Sequence, residues 1–276
     1  MGEEGERLYR KLSRAEALAD IKNRMLEKDR SLDASAFEEV FDKATLQSVY
    51  ELMRRGIFED FYGVVSAGKE SRIYYARNKN GEELAVKIYL VNNTEFRKTR
   101  MLYVAGDHNF ERPGMSLRKF IDAWARREFR NLKTAFDSGV PVPKPYTVHR
   151  NILVMSFLGS DGLRYPLLRE TRYSREEYLV TYGKVIDCVA RLYRGAGIVH
   201  SDLSEFNIMA PNPEIVYFID LSQAVSLTNR YAQIFLMRDL RNVNRFFSSV
   251  GIDVQDEESI FRELTGGEPP PELTPI

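Results

Sequence analysis

The chain has 276 residues, 43% hydrophobic, 12% aromatic and 29% charged, a composition that belongs to a globular protein with a substantial core. Its 40 Lys+Arg balance 40 Asp+Glu, which excludes a global field drawing it to nucleic acid or a membrane surface; any polyanion site must be local. The single cysteine, Cys188, excludes an internal disulfide and a multi-thiolate metal site, fits a reducing compartment and, in an apolar helical stretch, reads as core packing.

The chain opens Met-Gly-Glu-Glu-Gly-Glu-Arg, without the apolar run of a signal peptide or membrane span, so a soluble, cytoplasmic protein with no membrane partner is expected. Leu8, Leu12, Ala15, Leu18, Ile21 and Met25 recur at helical spacing, and a second helical region opens near Ser35 and runs through Leu46, Tyr50 and Met53 to Gly56. After Gly63 short β runs take over: Ser71 to Ala76, the Asn80-Gly81 turn and Leu84 to Tyr89 predict an antiparallel hairpin. Asn92 to Met115, polar and Arg-rich with Gly106, Pro113 and Gly114, reads as a long mobile loop. A helix follows from Leu117 to Phe136, stopped by Gly139, then a strand pair at Tyr146 to Val148 and Ile152 to Phe157.

Gly159-Ser-Asp-Gly162 interrupts the apolar pattern and reads as a hinge. Beyond it the chain is mostly helical, at Arg175 to Gly195, Tyr231 to Val250 and Glu257 to Leu264, with a short strand at Ile215 to Ile219. The expected domains are therefore a helical extension at 1–60, a β-rich lobe at 61–158 with a flexible loop near 92–116, a helical lobe at 159–265 and a flexible tail at 266–276.

Chemistry concentrates in His200-Ser-Asp-Leu-Ser-Glu-Phe-Asn207 and the apolar strand Val216 to Ile219 closed by Asp220. Phosphoryl transfer needs an acceptor-side carboxylate and oxygen ligands that hold Mg²⁺ against phosphates, and Asp202, Asn207 and Asp220 supply that set. An Asp with an Asn five residues on is common in loops; a third carboxylate ending an apolar strand is not a packing choice. Lys87 interrupts the apolar run Ala85-Val-Lys-Ile88, where it is either an edge lysine or a phosphate-binding cation held by a helical carboxylate, for which Glu128 is the best partner. Ser66-Ala-Gly-Lys-Glu-Ser71 offers a glycine, hydroxyls, an amine and backbone N–H groups for phosphate oxygens, but it is no Walker A motif.

The order of phosphate loop, strand lysine, helix glutamate, hinge, Asp-x₄-Asn and strand-end Asp matches a protein kinase. Ser-Ala-Gly-Lys-Glu-Ser, His-Ser-Asp-Leu-Ser-Glu-Phe-Asn and Ile-Asp-Leu-Ser-Gln resemble the signature segments of the RIO family of atypical protein kinases over residues 45 to 250. Trp124 to Leu132 and Val140-Pro-Val-Pro-Lys-Pro145 resemble its type-1 branch. Ser71 and Phe206 lean toward type 2, whereas Leu-Ser-Gln after Asp220 favours type 1.

The resemblance implies an α+β, two-lobed protein-kinase-like fold with an N-terminal helical extension, and a serine kinase or ATPase using ATP with Mg²⁺ or Mn²⁺. It assigns Ser66, Lys69 and Ser71 to the phosphate loop, Lys87 and Glu128 to an ion pair, and Met155 to the back of the adenine pocket. The backbone of Ser156 and Leu158 would bond the base, Asp202 is the catalytic aspartate, and Asn207 and Asp220 are the metal ligands. In some members the strand-end aspartate becomes phosphorylated, so Asp220 carries a catalytic expectation too. No Arg precedes Asp202 and no Ala-Pro-Glu segment follows Asp220, an absence RIO kinases share.

The implied partner is a small ribosomal subunit precursor, its rRNA and proteins; the alternative is an assembly factor that uses ATP only as a conformational switch. Thr94, Thr99 and Ser116 are candidate autophosphorylation sites. His108 and His149 carry no expected role, and His200 is expected to brace the catalytic loop.

Overall fold

The computed structural model describes residues 42–91, 96–105, 107, 109–110 and 114–271; the helix expected near Leu8 to Met25, the start at Ser35, Thr94 and His108 lie outside these. The described chain divides into two compact units. One comprises residues up to Thr94 with Ser116–Arg126 and Tyr146–Leu163, the other Glu95–Met115, Arg127–Pro145 and everything from Arg164 onward.

The first unit is built on a five-stranded sheet in the order β1-β2-β3-β5-β4: β1 Asp60–Ala67, β2 Ser71–Arg77, β3 Glu83–Tyr89, β4 Pro145–His149 and β5 Ile152–Ser156. The predicted hairpin is β2 and β3, paired antiparallel from Ser71↔Tyr89 to Arg77↔Glu83, with Gly81 in the left-handed conformation its turn requires. Side chains alternate across a strand, so β3 sends Leu84, Val86 and Ile88 to one face, where they join Tyr74, Ala76, Ile152 and Val154 in the core. The Lys43–Arg54 helix closes that face with Val49 and Leu52; its N-cap is Asp42, whose carboxylate accepts from the Thr45 N–H. The opposite face of β3 carries Ala85, Lys87 and Tyr89. Lys87 pairs with Leu153 and Ala85 with Met155, so the sheet register alone puts Lys87 and Met155 on one face.

Asn151, fully buried, ties this unit together at the turn between β4 and β5. Its Nδ2 donates to Tyr89 O at 2.8 Å and to Thr45 Oγ1 at 3.1 Å, and its own carbonyl accepts from the Tyr89 N–H at 2.9 Å. His149 bonds Glu51 Oε2 at 2.9 Å, a packing contact between β4 and the helix.

Gly159 to Gly162 forms a tight hairpin between β6 Gly159–Ser160 and β7 Leu163–Arg164. Asp161 and Gly162 are both left-handed, at φ 51° and 77°, the pattern of a two-residue type I′ turn.

The second unit is mainly helical: the later half of the Leu117–Asp137 helix, then Arg175–Ala190, Ala232–Ser249 and Glu257–Thr265, with small strand pairs. Ser174 and Glu177 make a reciprocal capping box that starts the Arg175 helix. Cys188 is buried there and burial pushes its thiol up to about 12, as expected of a packing residue. The strand expected at Ile215 is β10 Ile215–Phe218, and it pairs with β9 Ile208–Asn212, which follows Asn207 directly. β8 Ile198–Val199 pairs with β11 Val225–Ser226.

The stretch from Asn92 to Met115 is not simply a loop. Its described part holds a helix at Phe96–Arg100 and a 3₁₀ turn at Met101–Val104, with Phe96, Val104 and Phe110 buried. Five residues are too few to display a 3.6-residue period, so the pattern gave no sign of them.

Replacing Asn151 by Ala removes two donated bonds and leaves the Tyr89 carbonyl buried without its side-chain donor. The expected loss is about 1–3 kcal/mol of unfolding free energy, read from urea denaturation, with an unchanged slope.

Candidate active site

The sequence-predicted residues fall into two groups, one per unit. In the first, Ser66 and Lys69 are exposed where β1 turns into β2, and Ser71 opens β2. The Gly68 N–H donates to Ser71 O at 3.0 Å and Arg72 donates to Gly68 O, which fixes the loop as a tight turn. Lys87 is buried, its Nζ 5.1 Å from the Tyr89 ring centroid. Met155 is buried on the same face, Ser156 pairs with Leu84 at the strand end, and Leu158 follows half-buried. Glu128 belongs to the other unit and is buried in its long helix.

In the second unit Asp202, Asn207 and Asp220 are brought together. Asn207 Nδ2 donates to Asp202 O at 2.7 Å and lies 3.4 Å from its Oδ2; Gln223 Nε2 donates to Asp202 Oδ2 at 2.8 Å. The Ile219 N–H donates to Asn207 O at 3.0 Å, which sets the strand-end Asp220 beside this loop. Burial, and then the charge of Asp220, push the Asp202 carboxyl up to about 6, against the pull of Arg238, Arg100 and the Asn207 bond.

Both loops are strained. Ser201 at φ 66° and Asp220 at φ 59° sit in the left-handed region, a cost of about 1–3 kcal/mol each that the surroundings must offset. At Ser201 the offset comes from Asp239, a carboxylate buried in the Ala232–Ser249 helix. Its Oδ2 accepts from the Ser201 N–H at 2.7 Å and its Oδ1 from the Leu203 N–H at 2.9 Å, so it grips the backbone on both sides of Asp202. Burial pushes its carboxyl up to about 7, opposed by these two N–H donors and by Arg238. Arg238 also donates to Ser201 O.

At the Asp220 turn the offset comes from the long helix. Buried Arg127 donates to Ser222 O at 2.6 Å and through Nη2 to both Ala224 O and Tyr103 O at 2.7 Å. Asn131, one turn on, donates to Leu221 O at 3.0 Å and Ala224 O at 2.9 Å. The Tyr103 ring stacks on Phe235 at 5.2 Å, and Arg238 lies over the Phe235 ring at 5.0 Å.

His200 braces the loop as expected. It is buried, burial lowers its pKa to about 4, and its Nε2 is 3.0 Å from Ile219 O. A carbonyl only accepts, so the neutral ring carries its proton on Nε2.

Sequence reasoning missed Asp239, Arg238, Arg127 and Asn131, and used Gln223 only to place the branch. Asp239 left a signal: it interrupts the stripe of Phe235, Leu236, Leu240 and Val243 on the buried face of its helix.

The oxygen set fits a divalent cation. Asn207 spends its Nδ2 on Asp202, which leaves Oδ1 as a hard acceptor, and a second carboxylate, Asp220, close enough to raise Asp202 favours a cation between them. Among the described residues no three His, Cys, Asp or Glu gather into an all-protein metal cage. Mg²⁺ is commonly held by one or two carboxylates together with waters and substrate phosphates.

Residues 72–260 match the RIO domain model. The chain belongs to the RIO family of atypical kinases. It is 39% identical over 272 residues to "RIO-type serine/threonine-protein kinase Rio1" of Haloferax volcanii, covering 97% of this chain and 92% of that one. Against "Serine/threonine-protein kinase RIO1" of Homo sapiens it is 36% identical, covering 86% of this chain and 42% of that one. It thus spans nearly the whole archaeal relative but about half or less of many eukaryotic ones, such as the Chaetomium thermophilum Rio1 at 49%. The relatives place it on the Rio1 side of the family. Among solved structures, the Rio2 kinase–ADP/Mg²⁺–phosphoaspartate complex of Chaetomium thermophilum matches at TM-score 0.60 and 22% identity, covering 81% of this chain and 67% of that one. That likeness shows the fold, a two-lobed kinase-like α+β architecture. No helix among the described residues is long and apolar enough to cross a membrane.

Asp239→Ala leaves two buried N–H groups without acceptors at a strained loop. Its unfolding free energy should fall by about 2–5 kcal/mol, and hydrogen exchange at Ser201 and Leu203 should quicken relative to the rest of the same unit. Unchanged protection at these two amides would show that Asp239 does not hold the loop.

Proposed function

We propose that this RIO kinase transfers the γ-phosphoryl group of ATP to serine and also turns over ATP as a hydrolase. The observation that carries this reading is the joining of Asp202, Asn207 and Asp220 in one braced loop system, with Asp202 raised by burial and by Asp220. Asp202 would orient and accept the proton of the acceptor hydroxyl, and Asn207 Oδ1 and Asp220 would hold Mg²⁺. Lys87 and the Ser66–Ser71 turn would meet the phosphates, with Glu128 as the partner of Lys87. Met155 would back the adenine, and the backbone of Ser156 and Leu158 would bond its edge. The metal supplies charge neutralisation on the phosphates when bound; Mn²⁺ has the same preference for oxygen ligands.

The solved Rio2 relative is named as a phosphoaspartate complex, which supports a covalent route here through Asp220. In that route a carboxylate oxygen of Asp220 bonds phosphorus as the bond to ADP breaks, and water then releases phosphate. The alternative, an ATP-driven conformational switch without transfer to protein, shares every residue up to that step. We place the protein in the cytoplasm, in maturation of the small ribosomal subunit with the precursor's rRNA and proteins as partners, on its kinship with Rio1 kinases.

Asp202→Ala should lower phosphotransfer by roughly 10²–10⁴-fold with ATP affinity largely kept; unaltered turnover would remove Asp202 from the reaction. After incubation with γ-labelled ATP, hydroxylamine should release label from the wild-type chain and find none on Asp220→Asn. Label that resists hydroxylamine would point to serine or threonine instead.

A further inference from the structure

Beside the catalytic loop lies a surface that the reaction above does not use. Phe206 falls between Asp202 and Asn207 in the chain, yet is 50% exposed. Four residues of chain hold its backbone within about 14 Å of that of Asp202. The Arg169 guanidinium covers the ring, with Cζ 4.5 Å from the centroid.

Arg169 is presented by a 3₁₀ turn at Leu168–Glu170 that is fastened to the catalytic segment. Its N–H donates to Glu205 O at 3.2 Å, the Ala210 N–H donates to Pro166 O at 2.9 Å, and Leu167 bridges Met209. The acid next door is already occupied: Glu170 takes both Arg164 nitrogens, at 2.7 and 2.8 Å, and the Leu167 N–H at 2.9 Å. Glu205 turns Oε2 into the protein. Among the described residues no side chain accepts from the Arg169 guanidinium.

A lone exposed phenylalanine needs no explanation. A phenylalanine that holds an arginine with unspent donors, one residue from Asn207, is different. The ring fixes the guanidinium's position, and the planar fork matches a carboxylate or phosphate in bidentate fashion. Resting on the phosphotransfer reading, we propose that Arg169 and Phe206 form an acceptor docking point. It takes an anionic side chain, the carboxylate of Asp or Glu or the phosphate of phosphoserine, that flanks the serine to be phosphorylated.

The test is steady-state transfer from ATP by the full chain to serine peptides carrying Asp, phosphoserine, Ala or Lys at each flanking position. Wild type should prefer the Asp and phosphoserine peptides, and comparing the two separates carboxylate from phosphate as the better ligand. Arg169→Ala should lower kcat/KM for them by about tenfold, mainly through KM, as expected for a lost bond to a charged group. It should leave the Ala peptide and peptide-free ATP hydrolysis unchanged. Phe206→Ala should act in the same direction and Phe206→Tyr should not. Arg169→Glu should shift preference to the Lys peptide, a gain that misfolding cannot produce.

Equal use of all peptides, untouched by Arg169→Ala, would overturn the docking point and leave the kinase reading standing. ATP hydrolysis by wild type with no transfer to any peptide would remove both. Loss of single-stranded RNA binding in Arg169→Ala with peptide preference intact would assign the surface to nucleic acid and overturn the proposal.

Discussion

The pair of bonds from Asp239 to the Ser201 and Leu203 N–H groups is the constraint on which the rest of the site depends. A left-handed serine is needed for the chain to reverse after β8 and bring Asp202 to face Asn207 and Gln223. Left to itself such a residue would relax, since nothing in the Ser side chain prefers that conformation as Gly would. Two bonds to the carboxylate, of about 1.5–3 kcal/mol each, outweigh the strain at Ser201. Burial carries its own cost, visible in the carboxyl being pushed up to about 7. The stability of one buried acid is thus exchanged for the geometry of another.

The Asp220 turn is held by a different chemistry. Leu221, Ser222 and Ala224 present carbonyls to which Arg127 and Asn131, one helical turn apart, donate from outside, the Leu221 carbonyl also accepting from the Ala224 N–H. Arg127 shares its Nη2 with Tyr103 O, so the short helical segment before the long helix is wired to the same turn. Tyr103 reaches the catalytic loop as well, through Phe235 and Arg238. The segment at 96–104 is therefore part of the scaffold of the site, and Arg100 adds a cation that lowers Asp202.

Much of this was legible in the sequence and some was not, for physical reasons. The β2–β3 hairpin, the long helix and the strand closed by Asp220 announce themselves through period-two or helical patterns and turn residues. So do Lys87, a charge in an apolar strand, and the Asp-x₄-Asn spacing of the catalytic loop. Arg127 was visible only as one of several arginines, because donation to carbonyls far along the chain leaves no spacing to detect. The helix at Phe96–Arg100 was too short to show a period, and β9 was hidden by Pro211 and Asn212 at its end. What local pattern encodes was readable; what depends on contacts between distant segments was not.

The charges around Asp202 explain why the loops are built so firmly. Burial and Asp220 raise Asp202, whereas Arg238 and Arg100 lower it, and the balance leaves a carboxyl at about 6 with a second carboxylate beside it. On the proposed reading, a divalent cation held by Asp220 would offset that charge and keep Asp202 ionised, ready to orient a hydroxyl. Such coupling works only if the two carboxylates cannot drift apart to relieve their repulsion. Asp239 fixes the backbone beside the first and Arg127 with Asn131 that beside the second, so the two carboxylates are kept close.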